Sequence, residues 1–162
     1  SQNIYKSDML RFVSLLSILT IGTINTAFGD IYGGASLDYG SPHAGKDRIH
    51  GSIIIGNRFS QGNYFYGTEL DFGTSLDNTV NYATSRARLL FGIPQEIFTP
   101  IIGLGGTVYI DNGKTYGSPN ISGGIETKIG YISTLRIEAI RDFNPDHTTP
   151  VTIIRIGLLW QY

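Results

Sequence analysis

The sequence predicts an all-β chain: eight antiparallel strands closed up-and-down into a transmembrane barrel, preceded by a cleavable leader. Three observations predict it. From Asp30 onward, apolar and polar side chains alternate in eight segments, with no helical periodicity of useful length. The segments are mostly ~9 to 12 residues long, enough for a tilted strand to cross a bilayer, whereas soluble strands are nearer ~5 to 6. Charged side chains keep to one parity of the alternation, and the other parity is apolar.

The leader comes first. Lys6 and Arg11 form a basic start, Phe12 to Ile24 an apolar core, and Ala27-Phe28-Gly29 supplies small residues for cleavage after Gly29. The apolar run falls short of the ~18 to 20 residues that a membrane-spanning helix needs. Residues 1–29 are therefore expected to be a signal peptide and residues 30–162 the barrel.

The strands are expected at 31–39, 49–58, 63–72, 80–91, 96–110, 119–129, 133–141 and 151–162. Taking the more apolar parity as outside, the first exposes Ile31, Ala35, Leu37 and Tyr39, and the second Ile49, Ile53 and Ile55. The third and fourth expose Tyr64, Tyr66, Leu70 and Phe72, then Ala83, Ala87, Leu89 and Phe91. The fifth fits either parity; with Phe98, Ile102, Leu104, Val108 and Ile110 outside, Ile101 and Tyr109 turn inward. Ile121, Ile125 and Ile129 mark the sixth, Leu135, Ile137 and Ala139 the seventh, and Ile154, Ile156, Leu158, Trp160 and Tyr162 the eighth. Connections at 40–48, 73–79, 111–119 and 142–150 read as long and polar, and those at 59–62, 92–95 and 130–132 as tight. Long loops at one rim and tight turns at the other are the asymmetry of membrane barrels.

The opposite parity carries Asp38, Arg58, Glu69, Asp71, Arg86, Arg88, Glu126, Lys128, Arg136, Glu138 and Arg155, while no charge is expected outside. A soluble barrel has the reverse polarity. An Arg or Lys facing lipid at the midplane costs ~2 to 4 kcal/mol, so the sign of the pattern predicts a membrane. Eight strands leave an interior that side chains fill, and these charges are expected to pair as a plug. Glu69 can face Arg88, Asp71 can face Arg86, and Glu138 can face Arg155. A polar ion path is the functional alternative. Tyr64, Tyr82, Tyr109, Tyr131, Trp160 and Tyr162 lie near strand ends and suit interfacial aromatic girdles.

Composition agrees. The chain holds 12 Lys and Arg against 13 Asp and Glu, a net charge of −1, which gives no basic field for a nucleic-acid partner. There is no Cys, hence no disulfide, whereas Gly (21), Tyr (10) and Phe (8) are plentiful.

Arg155, Gly157, Trp160 and Tyr162 fill a spacing, polar-x-Gly-x-x-aromatic-x-aromatic, that resembles the carboxy-terminal assembly signal of bacterial outer-membrane β-barrels. From Asp30 to Tyr162 the chain resembles the small eight-stranded OmpA/OmpX-like outer-membrane family. The resemblance implies a monomeric barrel in a Gram-negative outer membrane, in contact with outer-membrane lipids and lipopolysaccharide and inserted by the barrel-assembly machinery, with no cofactor. The roles it implies are envelope integrity, adhesion and passage of small solutes.

Other readings are distinguishable. A lipocalin-like soluble barrel needs the opposite face pattern. An adhesin would act through the long loops. His50-Gly51-Ser52, with Glu69 on the next strand, resembles the His-x-Ser pair of lipid A deacylases, but Ile53 stands where that family has Asn and His50 shares the lumen parity. His43 and His147, near Asp47 and Asp146, are loop residues able to ligate a metal. Gly103-Leu104-Gly105-Gly106 falls within a strand, where glycine makes room for neighbours or a bend.

Overall fold

Closure fixes this molecule. Every strand pairs with its chain neighbour in antiparallel register and the last pairs with the first, so no sheet edge is left open. The structure, a computed structural model, describes residues 29–40, 48–76, 82–111, 113–143 and 151–161. The strands are β1 (Asp30–Gly40), β2 (Arg48–Gln61), β3 (Tyr64–Ser75), β4 (Tyr82–Gly92), β5 (Thr99–Asp111), β6 (Lys114–Lys128), β7 (Ser133–Asp142) and β8 (Val151–Gln161). The expected leader, Tyr162, and the loops carrying His43, Asp47, Asp146 and His147 lie outside the described residues.

Following the paired residues from Asp30 through Arg58, Gly67, Leu90, Gly103, Ser122, Ile140 and Ile153 returns to β1 at Gly40, ten residues further along. With ~3.3 Å per residue and ~4.8 Å between strands, that stagger tilts the strands by about 40°.

The alternation becomes an inverted barrel. Ile53 (64% exposed), Ile102 (62%) and Leu104 (60%) stand outward, while Arg136 and Arg155 are fully buried within. On β5 the outward set is Ile102, Leu104, Val108 and Ile110, with Ile101 and Tyr109 buried inside. Such an outer surface is insoluble in water and matched to hydrocarbon, so the described strands form a membrane-facing wall. Near the short-turn rim, Phe59 stacks on Tyr66 and Tyr64 on Phe91, with centroids 5.4 and 5.5 Å apart.

Several boundaries differ from expectation. β2 runs on to Gln61, and a two-residue turn at Gly62-Asn63 follows, with Gly62 at φ 59°. β3 continues to Ser75, and β5 starts at Thr99, because residues 93–98 form a turn in which Gln95 N–H donates to the Phe98 carbonyl (3.0 Å). Phe98, expected on the outward face of the strand, belongs to that turn.

The long loop expected at 111–119 is instead a hairpin pairing Asp111 with Lys114 through Gly113 (φ 79°). Pro119 suggested a strand start, yet it sits inside β6 opposite Gly106. Two glycines of the 103–106 run make room for neighbours: a Cβ at Gly105 would meet the Ala87 carbonyl oxygen at 2.0 Å and Arg88 Cα at 2.8 Å, and one at Gly103 would meet Ser122 Oγ at 2.3 Å.

Two face expectations also change. Arg141 continues the outward parity of β7 and is exposed, so the outer face does carry a charge, at the long-loop end. Tyr109, named for a girdle by its place near a strand end, is 2% exposed and faces inward as the chosen parity of the fifth strand has it, so the girdle reading fails.

Candidate functional site: a charge-filled lumen

Alternate residues of all eight strands point into a space only as wide as two side chains, which forces their charges together. The lumen divides into two layers. The layer nearer the short turns is built on glutamates. Glu69 accepts hydrogen bonds from Tyr32 Oη (2.6 Å), Arg136 Nη1 (2.6 Å) and Arg88 Nη2. Arg88 also grips Glu138 with both terminal nitrogens (2.8 and 2.9 Å) and donates to Ser122 Oγ (3.1 Å). Arg136 Nε (2.9 Å) and Arg58 Nη2 (2.8 Å) converge on Glu126 Oε1. Arg58 closes the end, its guanidinium carbon 3.9 Å from the Phe65 ring centroid and 5.2 Å from that of Tyr32. Gly56 makes this possible, since a Cβ there would lie 2.2 Å from the Tyr32 ring.

The layer nearer the long loops is built on aspartates and hydroxyls. Arg155 donates to both oxygens of Asp38 (2.7 and 2.8 Å) and, through Nη1, to Asp71 (2.8 Å). Ser36 and Ser52 donate to the same Asp38 carboxylate at 3.0 and 2.9 Å. Arg86 donates to Asp142 Oδ2 (3.2 Å) and lies 3.6 Å from Asp71. Thr107 donates to Asp142 Oδ1 (2.6 Å), Tyr109 donates to Oδ2, and Asn120 holds Thr107 in turn (2.8 Å). The two layers meet where Arg155 Nη1 comes within 3.9 Å of Glu138.

The pairs read from the sequence are neighbours in register: Glu69 with Arg88, Asp71 with Arg86, and Glu138 with Arg155. Asp38 and Arg155 are register neighbours too, across the β1–β8 seam, whereas Arg155 to Asp71, Arg88 to Glu138 and Arg136 to Glu69 cross the lumen, because a guanidinium on a long stem spans a narrow barrel. Asp38, Glu69, Asp71, Arg86, Arg88, Glu126, Arg136, Glu138 and Arg155 all lie within this space, and Arg58 lies at its mouth. Lys128 is exposed at the rim and outside the network. Asp142, Tyr32 and Tyr109 were missed as members. Asp142 shares parity with Glu138, and extending β7 by one residue would have found it.

Arg155, Gly157 and Trp160 lie on β8, which seals the barrel against β1. Trp160 is half-buried on the outward parity, whereas Arg155 is a central lumen cation.

His50 and Ser52 are both buried on the inner face. Ser52 gives its hydroxyl to Asp38, and Glu69 is taken by two arginines and a tyrosine, so the serine is not set up as a nucleophile with Glu69 as third member.

No family model matches the chain, and no curated protein matches it. Solved structures do. The N-terminal β-barrel domain of Pseudomonas aeruginosa OprF has a TM-score of 0.61 at 12% identity, covering 83% of this chain and 98% of that one. Ail of Yersinia pestis, the attachment invasion locus protein, has 0.52 at 10%, covering 83% and 97%. The outer-membrane enzyme PagL has 0.51 at 10%, covering 80% and 99%. What the chain shares with them is architecture: it has the fold of the small eight-stranded outer-membrane β-barrels.

Proposed function

We propose that the chain is an integral outer-membrane protein whose barrel is a closed, structural or surface-presenting element and neither an open pore nor an enzyme. One observation carries the reading: the wall is apolar outside, and the bore is occupied by paired arginines and carboxylates, with Arg86, Arg88, Arg136 and Arg155 all buried. Buried ions in mutual contact hold a shape and leave no continuous water path. In this reading residues 1–29 direct export and are removed, and the aromatic end of β8 is read by the assembly machinery. The barrel then inserts as a monomer among phospholipid and lipopolysaccharide. Commitment of Ser52 and Glu69 to the charge network supports a non-enzymatic role although PagL, with the same fold, is an enzyme.

Fractionation of the native host tests it. The mature protein should start at Asp30, sediment with outer membranes and shift in gel mobility on heating. Purified protein in planar bilayers should give no steady conductance. Recovery as a soluble periplasmic monomer would overturn the membrane reading, and well-resolved channel openings would overturn the closed lumen.

A further inference from the structure

Seven of the eight junctions in the barrel join consecutive strands, and the eighth sets β8 against β1 to close it. Asp38 and Arg155, which meet there, are 117 residues apart in the chain, so the seam must be specified by its own contacts. Its inward register pairs are Tyr32 with Gln161, Gly34 with Leu159, Ser36 with Gly157, Asp38 with Arg155, and Gly40 with Ile153. Three of these five contain a glycine, and at two of them the strands need bare backbone. A Cβ at Gly34 would meet the Leu158 carbonyl oxygen at 2.5 Å, and one at Gly40 the Thr152 carbonyl oxygen at 2.9 Å. Tyr32 and Leu159 pack with Ile54, but Asp38 with Arg155 is the one pair of the five that joins opposite charges. On the outside Ala35 meets Leu158 and Leu37 meets Ile156, contacts that lipid chains replace at little cost.

Arg155 has a carboxylate in register on either side, Glu138 on β7 and Asp38 on β1. It lies 3.9 Å from Glu138, its hairpin neighbour, yet donates to both oxygens of Asp38 at 2.7 and 2.8 Å. Ser36 on β1 and Ser52 on β2 add one donor to each of those oxygens. The guanidinium is thus turned across the seam, and the Asp38 carboxylate ties β8, β1 and β2 together.

We infer that Asp38 and Arg155 are the latch of the seam: their pairing brings β8 onto β1 and sets the register in which the barrel closes. While the seam is open both charges stand at strand edges, and an unpaired ion inside a membrane is costly. Pairing removes that cost in one alignment alone. A slip of two residues keeps every side chain on its own face, yet it would set Asp38 against Gly157 or Ile153 and leave both ions unmatched. The cost assigned to the open state rests on the membrane-spanning reading above.

The two junctions of β8 can be timed separately, because the chain has no cysteine of its own. Ile156 stands opposite Leu37 across the seam and opposite Ile137 in the β7–β8 hairpin, and all three side chains are exposed on the outward face. Ile156→Cys with Leu37→Cys therefore reports the seam, and Ile156→Cys with Ile137→Cys reports the hairpin. Each pair is oxidised at intervals while the mature chain refolds from urea into phosphatidylcholine vesicles, and the cross-linked fraction is read on a non-reducing gel. Asp38→Asn, which keeps the size of the side chain and removes its charge, should slow the seam cross-link by about tenfold and leave the hairpin cross-link at the parent rate. Asp142→Asn removes a carboxylate of the same layer away from the seam and should not slow seam closure. An unchanged seam in Asp38→Asn, equal slowing of both cross-links, or a seam slowed as much by Asp142→Asn would overturn the latch. Flotation of the parent chain with the vesicles checks the membrane reading on its own: a chain left behind would overturn that reading, while the two cross-links would still time closure.

Discussion

The two halves of the lumen solve one problem by different means. In the short-turn half, Glu69, Glu126 and Glu138 meet Arg58, Arg88 and Arg136, so cations and anions balance and each glutamate touches at least one guanidinium closely. In the long-loop half, Asp38, Asp71 and Asp142 share Arg86 and Arg155 among the described side chains. There hydroxyls stand where a third cation would be: Ser36 and Ser52 on Asp38, Thr107 and Tyr109 on Asp142. Ser36 and Ser52 meet the short Asp38 side chain from its own strand and the next one, while Thr107 and Tyr109 reach Asp142 from β5, two strands away. A buried carboxylate therefore needs donors more than it needs a formal counter-charge, and the half with fewer cations depends on each of them more heavily.

That dependence gives the largest expected effect. Arg155→Ala removes the close cation of both Asp38 and Asp71 and should destabilise the barrel by about 3 to 5 kcal/mol, the cost of stranding buried charge. Arg88→Ala should cost less, because Arg136 still holds Glu69 and only Glu138 loses its bidentate partner. Urea unfolding in detergent micelles ranks the two. A larger loss for Arg88→Ala would mean that the balanced half, and not the hydroxyl-rich half, is the tender one.

The next effect isolates the hydroxyls. Thr107→Val with Tyr109→Phe leaves Asp142 only its 3.2 Å contact with Arg86 and should cost about 3 kcal/mol, two hydrogen bonds to a charged group at ~1.5 kcal/mol each. Adding Asp142→Asn to that double variant removes the stranded charge and should restore part of the loss. No recovery would mean that Asp142 does not carry the negative charge assigned to it.

How much of this was legible in the sequence follows from what alternation encodes. Parity gave the faces of Leu37, Ile53, Leu104 and Ile156, because side chains on a strand have no third direction to take. Register gave Glu69 opposite Arg88, since tight turns at one rim fix neighbouring strands. Contacts across the bore, such as Arg155 with Asp71 or Arg136 with Glu69, depend on stagger and on rotamers of long side chains, and neither is written locally. The hairpin at Gly113 was missed because the expected sixth strand began only at residue 119, although Asn112-Gly113 is a two-residue turn signal, and Pro119 stands mid-strand in β6. Arg141 was overlooked at the last residue of its expected strand, where parity still applied.

Exchanging the faces is a milder perturbation. Leu89→Ala trims a lipid-facing side chain that is 48% exposed and should cost about 2 kcal/mol by transfer of the lost carbons, with no cavity, because lipid chains close over the gap. Arg86→Ala, on the same strand one face over, strands Asp142 and weakens Asp71, and should cost more. The opposite ranking would exchange inside and outside.

The smallest effect is also the finest probe of the hydroxyl argument. Ser52→Ala removes one of four donated hydrogen bonds from Asp38, leaving both Arg155 contacts and Ser36 in place. A carboxylate that keeps three donors loses little, so about 1 kcal/mol is expected, at the low end for a bond to a charged acceptor. If each hydroxyl offsets missing positive charge, the same substitution made in Arg155→Lys should cost more than in the parent, since a lysine cannot grip both oxygens. Equal costs in the two backgrounds, measured as a double-mutant cycle by urea unfolding, would mean that Ser52 fills space beside Asp38 without sharing its charge, and the long-loop half would then hold its aspartates through the guanidinium alone.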